Sequence, residues 1–330
     1  MNKSRATALA ALVASSALLL AGCTMDDAPA SDSSGPVSSG EVNKILFDYP
    51  FTALPVYASL TQAVAEYAET QGVEVVFTND NMDLATQVSQ LTTHLGSDID
   101  AVVSFPMDNA AVQTVAKQYM DEGKLWVTYG GDLDEQSSSL QFSFHDSGEM
   151  LGEDAGEWIT ENLDGAAKVL VLGDRSIQLG QERTTGILDG LEAAAPDAEI
   201  IEQQAITPDE GLSVTSAVLA QHPDVDVVVA TSGDAAAGAY QALIASGRAA
   251  NDANTYLGGL DGNLTLYQEM KAGNFVRGVV TVKSSELAQA IVDFPVKLGK
   301  GEETERFDVP VYFVTAESPD LDDYIIELGG

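Results

Sequence analysis

Residues 44–77 read KILFDYPFTALPVYASLTQAVAEYAETQGVEVVF. Ile45, Leu46 and Phe47 make the short apolar run of a buried strand, and residues 54–71 then follow a 3.6-residue period with Ala58, Ala63, Val64, Ala65 and Ala68 on a small inner face. Gly72 ends this helix, because glycine takes up the left-handed C-cap conformation without a Cβ clash. Residues 73–78 are apolar and β-branched again. Strand, helix and strand in succession form a βαβ unit, which imposes parallel pairing and puts helices on the sheet faces.

The alternation continues in both number and kind. A helix over 85–95, a strand over 101–104, a helix over 109–122 and a strand over 125–129 complete a first series. A second series starts after residue 146, with helices over 149–163, 181–195, 208–221, 234–246 and 264–272. Its strands fall at 168–172, 199–202, 225–230, 256–260 and 276–282. The chain therefore reads as α/β, with two similar doubly wound, Rossmann-like lobes. No long Pro/Gly linker separates them, so the crossings between lobes are short, which suits hinges.

The N-terminus has a different character. Lys3 and Arg5 precede an uncharged stretch over residues 6–21, the pattern of a secretory signal, and that stretch is shorter than the roughly 20 residues a bilayer span needs. Leu20-Ala21-Gly22-Cys23 resembles a bacterial lipobox, so residues 1–22 are expected to be a signal peptide and Cys23 a lipidated N-terminus. Acyl chains there would hold the protein at a membrane at roughly 0.8 kcal/mol per buried methylene. Residues 24–40 are rich in Ser, Gly, Pro and Asp, a composition that cannot offset its own ordering entropy, so 23–41 is expected to be a flexible tether.

Composition narrows the function. Cys23 is the one cysteine in 330 residues, which excludes an intramolecular disulfide or a CxxC pair. A net charge of −36 opposes nucleic-acid binding, which needs a basic footprint. GxSxG, HExxH and GxxxxGK[ST] are absent, and no cofactor, metal site or catalytic residue is expected.

In an open α/β sheet, ligands bind outside the carboxyl ends of the strands. Those ends carry Tyr49, Pro50 and Phe51; Thr78, Asn79 and Asp80; Phe105, Pro106 and Asp108; Tyr129, Gly130 and Gly131. The second series adds Gly173, Asp174 and Arg175; Thr231, Ser232 and Asp234; Asp261, Gly262 and Asn263. Rings for apolar faces and acids, amides and arginine for hydroxyls suit a polyol. Phe51, Phe105, Tyr129, Ser232 and Asp234 are the ligand candidates from this placement. His94 and His222 are expected at exposed helix ends, and His145 at a hinge or cleft rim.

From Lys44 to about Thr315 the chain resembles the ribose-binding-like (type I) solute-binding proteins of ABC transporters. The resemblance is carried by Pro55-Val56-Tyr57, by Arg183-Thr184-Thr185-Gly186 as an R-x-x-G helix start, by His222-Pro223-Asp224-Val225, and by Gly259-Leu260-Asp261-Gly262 as a G-x-D-G turn. It implies that Arg183 and Asp261 hydrogen-bond sugar hydroxyls and that Tyr57 stacks on the ligand. On the residues alone, Arg183 could instead pair with Glu182 or Asp189, and Asp261 could cap the helix at 264. The pattern departs from the family at three places. Gly130-Gly131 stands for an Asp-Arg pair, and Phe105 and Ser232 each stand for an asparagine; the glycines would widen the pocket floor, with Asp132 reaching in from the side.

The resemblance also implies three crossings, expected at residues 143–146, 281–283 and 308–310. Lobe one is then 42–144 with 282–307, and lobe two 145–281 with 308–330. The expected function is a monomeric, membrane-anchored extracytoplasmic receptor that passes a small polar ligand, a sugar or polyol, to an ABC permease. A sensor for a chemoreceptor or histidine kinase and a carboxylate-dependent hydrolase are the alternatives.

Overall fold

The computed structural model describes residues 40–51, 54–302 and 306–330. The expected signal peptide, Cys23 and all but the end of the tether lie outside the described residues. The first lobe begins with β1 (Lys44–Asp48), α1 (Pro55–Gln71), β2 (Glu74–Phe77), α2 (Leu84–Thr93), β3 (Ala101–Ser104) and α3 (Asn109–Asp121), then β4 (Leu125–Tyr129) and β5 (Ser138–Gln141). The second contains α4 (Phe144–Asn162), β6 (Lys168–Gly173), α5 (Gln178–Ala194), β7 (Glu199–Gln204) and α6 (Pro208–Gln221). It continues with β8 (Val225–Ala230), α7 (Gly233–Ala245), β9 (Tyr256–Leu260), α8 (Leu264–Lys271) and β10 (Val276–Thr281). The chain ends with α9 (Ser284–Gly299), β11 (Phe307–Asp308), β12 (Tyr312–Val314) and α10 (Leu321–Glu327).

The two sheets repeat one topology. Their orders are β11-β5-β4-β3-β1-β2 and β12-β10-β9-β8-β6-β7, all parallel except for the antiparallel edge strand β12. Each order reverses beside its first strand, between β1 and β3 and between β6 and β8, the place where such sheets open a crevice. Ile45, Leu46 and Phe47 are fully buried because helices cover both sheet faces, which is why a central parallel strand reads as a continuous apolar run. Leu287, Ile291, Phe294 and Leu298 of α9 join the core of the first sheet, and Leu321 and Tyr324 of α10 join that of the second.

Three connections pass from one sheet to the other. The first is at Phe142 and Ser143, where the Ser143 hydroxyl accepts from Asp146 N at 3.1 Å and starts α4 at Phe144, ahead of the helix expected from 149. The second is at Val282 and Lys283, and the third follows β11. Strand β5, helices α9 and α10 and the short strands β11 and β12 come in addition to the elements expected from the sequence. His94 and His222 do end α2 and α6, but both are half-buried, not exposed. Among the described residues no helix is long and apolar enough to cross a membrane.

Candidate functional site

The loop after β1 is held from beneath by a buried polar knot. Asp48, at the end of β1, accepts from Thr78 Oγ1 at 2.9 Å, Gln87 Nε2 at 2.9 Å and Ser104 Oγ at 2.6 Å, so the ends of β1, β2 and β3 and helix α2 are tied to one carboxyl. Burial, and then the neighbouring Asp80, push that carboxyl well above its ordinary range. Neither acid is exposed, and neither lines the cleft.

Above this knot the strand ends of the first lobe form an aromatic wall. Tyr49 stands edge-on to Phe105 at 5.4 Å, Phe105 meets Phe51 at 5.4 Å and Tyr129 at 5.3 Å, and Tyr129 continues to Phe142 at 6.0 Å. All five rings line one cavity between the lobes, with Leu54, Leu60, Val282 and Leu287 beside them. Burial raises the Tyr49 and Tyr129 hydroxyls above their ordinary pKa, so both stay neutral donors.

The opposite wall is polar. Helix α5 presents Arg183, only 4% exposed, which donates to both oxygens of Asp261 at 2.5 and 2.7 Å and to Thr231 O at 3.3 Å. Burial works against the guanidinium charge, and Asp261 more than restores it. The same guanidinium lies 5.9 Å from the Phe142 ring and 5.8 Å from that of Phe144, joining the second lobe to the first crossing. Its Nε is buried without a partner among the described residues. Asp261 has φ +68, a left-handed conformation that costs a non-glycine residue free energy and is held by Asp261 N donating to Val280 O at 2.8 Å. Neither Glu182 nor Asp189 pairs with Arg183; Asp189 instead takes His145 at 2.9 Å. Asn263, not Asp261, caps α8, accepting from Thr265 N at 2.9 Å.

Of the candidates, Phe51, Phe105, Tyr129, Arg183, Ser232, Asp234 and Asp261 converge on this cavity. Two do not. Tyr57 lies behind Tyr49, stacked on it at 5.3 Å with its hydroxyl donating to Thr78 O, so Tyr49 takes the exposed ring position. Asp132 lies on a neighbouring cavity beyond Gly130 and Gly131, exposed and accepting from Gln136 Nε2 at 2.6 Å. Nor do the glycines widen the floor. A Cβ at Gly130, whose φ is +66, would sit 2.5 Å from Phe105 Cε2 and 2.8 Å from Phe144 Cζ, so the aromatic rings already fill the space that an acid would need. The Ser232 hydroxyl is used in capping α7 and in donating to Ile206 O at 2.9 Å.

Tyr49 and Asp174 stood among the strand ends but not among the ligand candidates, and Phe142 was absent because β5 was unread. Asp174 is 3% exposed, and its Oδ1 accepts from Ser176 N, Ser176 Oγ and Gln204 Nε2. Asp234 is also 3% exposed; Asn263 Nδ2 donates to its Oδ1 at 2.7 Å, and burial pushes its pKa up to about 6. Among the described residues one group with metal-ligating atoms, His145, Asp146 and Glu149, lies outside the cleft in the first two turns of α4, with the His145 ring already engaged by Asp189. The cavity between the two walls has a volume of about 80 Å³.

Two matching α/β lobes joined by three short connections around such a cleft define a two-lobed solute-binding fold. The periplasmic binding protein domain family matches residues 45–303, and the chain belongs to that family. It is 28% identical to a putative rhizopine-binding protein of Rhizobium meliloti over 82% of this chain and 87% of that one. It is 23% identical to the ribose import binding protein of Bacillus subtilis, covering 80% and 81% of the two chains. Among solved structures, the Caulobacter myo-inositol binding protein bound to myo-inositol superposes with a TM-score of 0.74 at 21% identity, over 89% of this chain and 100% of that one. A solute-binding protein of an ABC transporter from Mycobacterium smegmatis, with bound glycerol, superposes with a TM-score of 0.74 at 20% identity, over 87% and 97%.

Proposed function

We propose that this protein is the extracytoplasmic receptor of an ABC importer, anchored through a lipid on Cys23, and that it captures a sugar or polyol between its lobes and delivers it to a permease. The observation that carries this reading is the cleft itself, where an aromatic wall from one lobe faces hydrogen-bonding groups of the other across a hinge. A ring with an apolar face and hydroxyl edges complements both walls at once. Because only the closed form offers both, the ligand stabilises closure by its differential affinity for that state. The names of the relatives support a small polyhydroxylated ligand. The lipobox at Leu20-Ala21-Gly22-Cys23 supports the anchor.

A thermal-shift screen over sugars, polyols, nucleosides and furanones tests the reading. A true ligand at a hundredfold excess over its Kd raises stability by about 2.7 kcal/mol. A screen in which sugars and polyols give no shift while another class does would overturn it.

A further inference from the structure

The charges on the polar wall do not cancel. Arg183 is the one Lys or Arg of the lining, and both of its terminal nitrogens are held by Asp261. Asp234 is left with an uncharged amide, Asn263, on Oδ1 and no partner on Oδ2. Among the described residues no Lys or Arg pairs with it, and the like charge of Asp261 adds to the effect of burial. Asp174 likewise accepts only from uncharged groups. A buried carboxylate without a counter-charge is unfavourable, and an incoming cation relieves it. The facing aromatic wall strengthens the case, since ring faces attract ammonium groups and accept the carbon skeleton that carries them.

Resting on the cleft proposed above as the binding site, we infer that the ligand is an aminated polyol or amino sugar, its ammonium set against Asp234 and its apolar face against Tyr49, Phe105 and Tyr129. Arg183, already neutralised, then serves the hydroxyls, while the free charge of the site selects the amine. A neutral polyol would fill the same space but leave Asp234 unpaired.

Titration calorimetry at neutral pH on matched pairs tests this: glucosamine with glucose, mannosamine with mannose, glucamine with sorbitol, and a mono-aminated inositol with its parent. The inference expects the aminated member of at least one pair to bind about 10-fold or more tighter than its parent, the gain of a charge-assisted contact. It expects N-acetylation, which removes the charge and keeps the nitrogen, to abolish that preference in the wild-type protein. It also expects Asp234→Asn to bring the ratio within the pair close to one. Neutral members binding as tightly as their aminated counterparts would overturn the inference and leave the polyol reading standing. Absence of binding by both members of every pair would count against both.

Discussion

Asp234 destabilises the fold that holds it. Its pKa, pushed by burial from 3.8 to about 6, is higher in the folded than in the unfolded state, so over that interval the folded protein keeps a proton that the unfolded chain has shed. The stability that this retained proton contributes is fully present below pH 3.8 and is lost as pH rises through about 6, so the ionised carboxylate weighs against the fold only above that range. Asp234→Asn is therefore expected to stabilise the ligand-free protein at neutral pH by about 1–3 kcal/mol. In thermal unfolding the difference should shrink towards zero below pH 3.8; a difference constant across the interval would contradict the assignment. Removing Asp261 is expected to act in the opposite direction to removing the Asp234 charge. Asp261→Ala leaves a guanidinium that is 4% exposed without its bidentate partner, a loss of about 2–4 kcal/mol that urea unfolding would show. Wild-type stability in that variant would mean that the pair serves only the ligand.

The position of Arg183 depends on how closely α5 approaches α4. Gly186, one turn beyond Arg183, faces α4 so closely that a Cβ there would land on the carbonyl oxygen of His145, and Gly148 on α4 meets Arg183 O in the same way. The glycine of R-x-x-G is thus a packing requirement that lets the helix carrying the arginine sit backbone to backbone on its neighbour. Gly186→Ala gains about 1 kcal/mol in helix propensity yet is expected to lose about 2 kcal/mol net by forcing the helices apart. Equilibrium unfolding measures this, and a stabilised variant would show that the contact yields.

Elements of this kind explain what the sequence discloses. Helices and central strands were legible because Ile45 to Phe47 or Val227 to Ala230 are buried on both faces and so continuously apolar. Strand β5, with Ser138, Ser139, Leu140 and Gln141, has no such run, because its serines are buried beside β4 without any change in composition. With β5 unread, Phe142 and the true start of α4 went unseen. Arg183 and Asp261 were legible because their motifs reflect backbone demands, a close helix contact and a left-handed turn. The exchange of Tyr57 for Tyr49 was not, because both rings stack in one column and only the depth of each decides which faces the cleft.

On the scale of the molecule, two lobes of the same strand order meet at their carboxyl edges, and the chain between them is short at every crossing. The first lobe offers rings and the second offers charge, so neither alone holds a polyhydroxylated ligand. The proposed anchor puts this receptor at the membrane, where its permease would be. Cys23→Ser is expected to move the protein from the detergent phase to the aqueous phase in detergent partitioning, and retention in the detergent phase would contradict lipid attachment at that residue.

In the proposed complex one ligand bridges the aromatic wall and the Arg183 wall. Titration calorimetry with the tightest-binding sugar or polyol of the screen, on the wild type and on Arg183→Ala, measures that bridge. One site per chain is expected in the wild type and an affinity about 10- to 150-fold weaker in the variant, the span for hydrogen bonds to a charged group. An Arg183→Ala protein that binds the same ligand with undiminished affinity would contradict it.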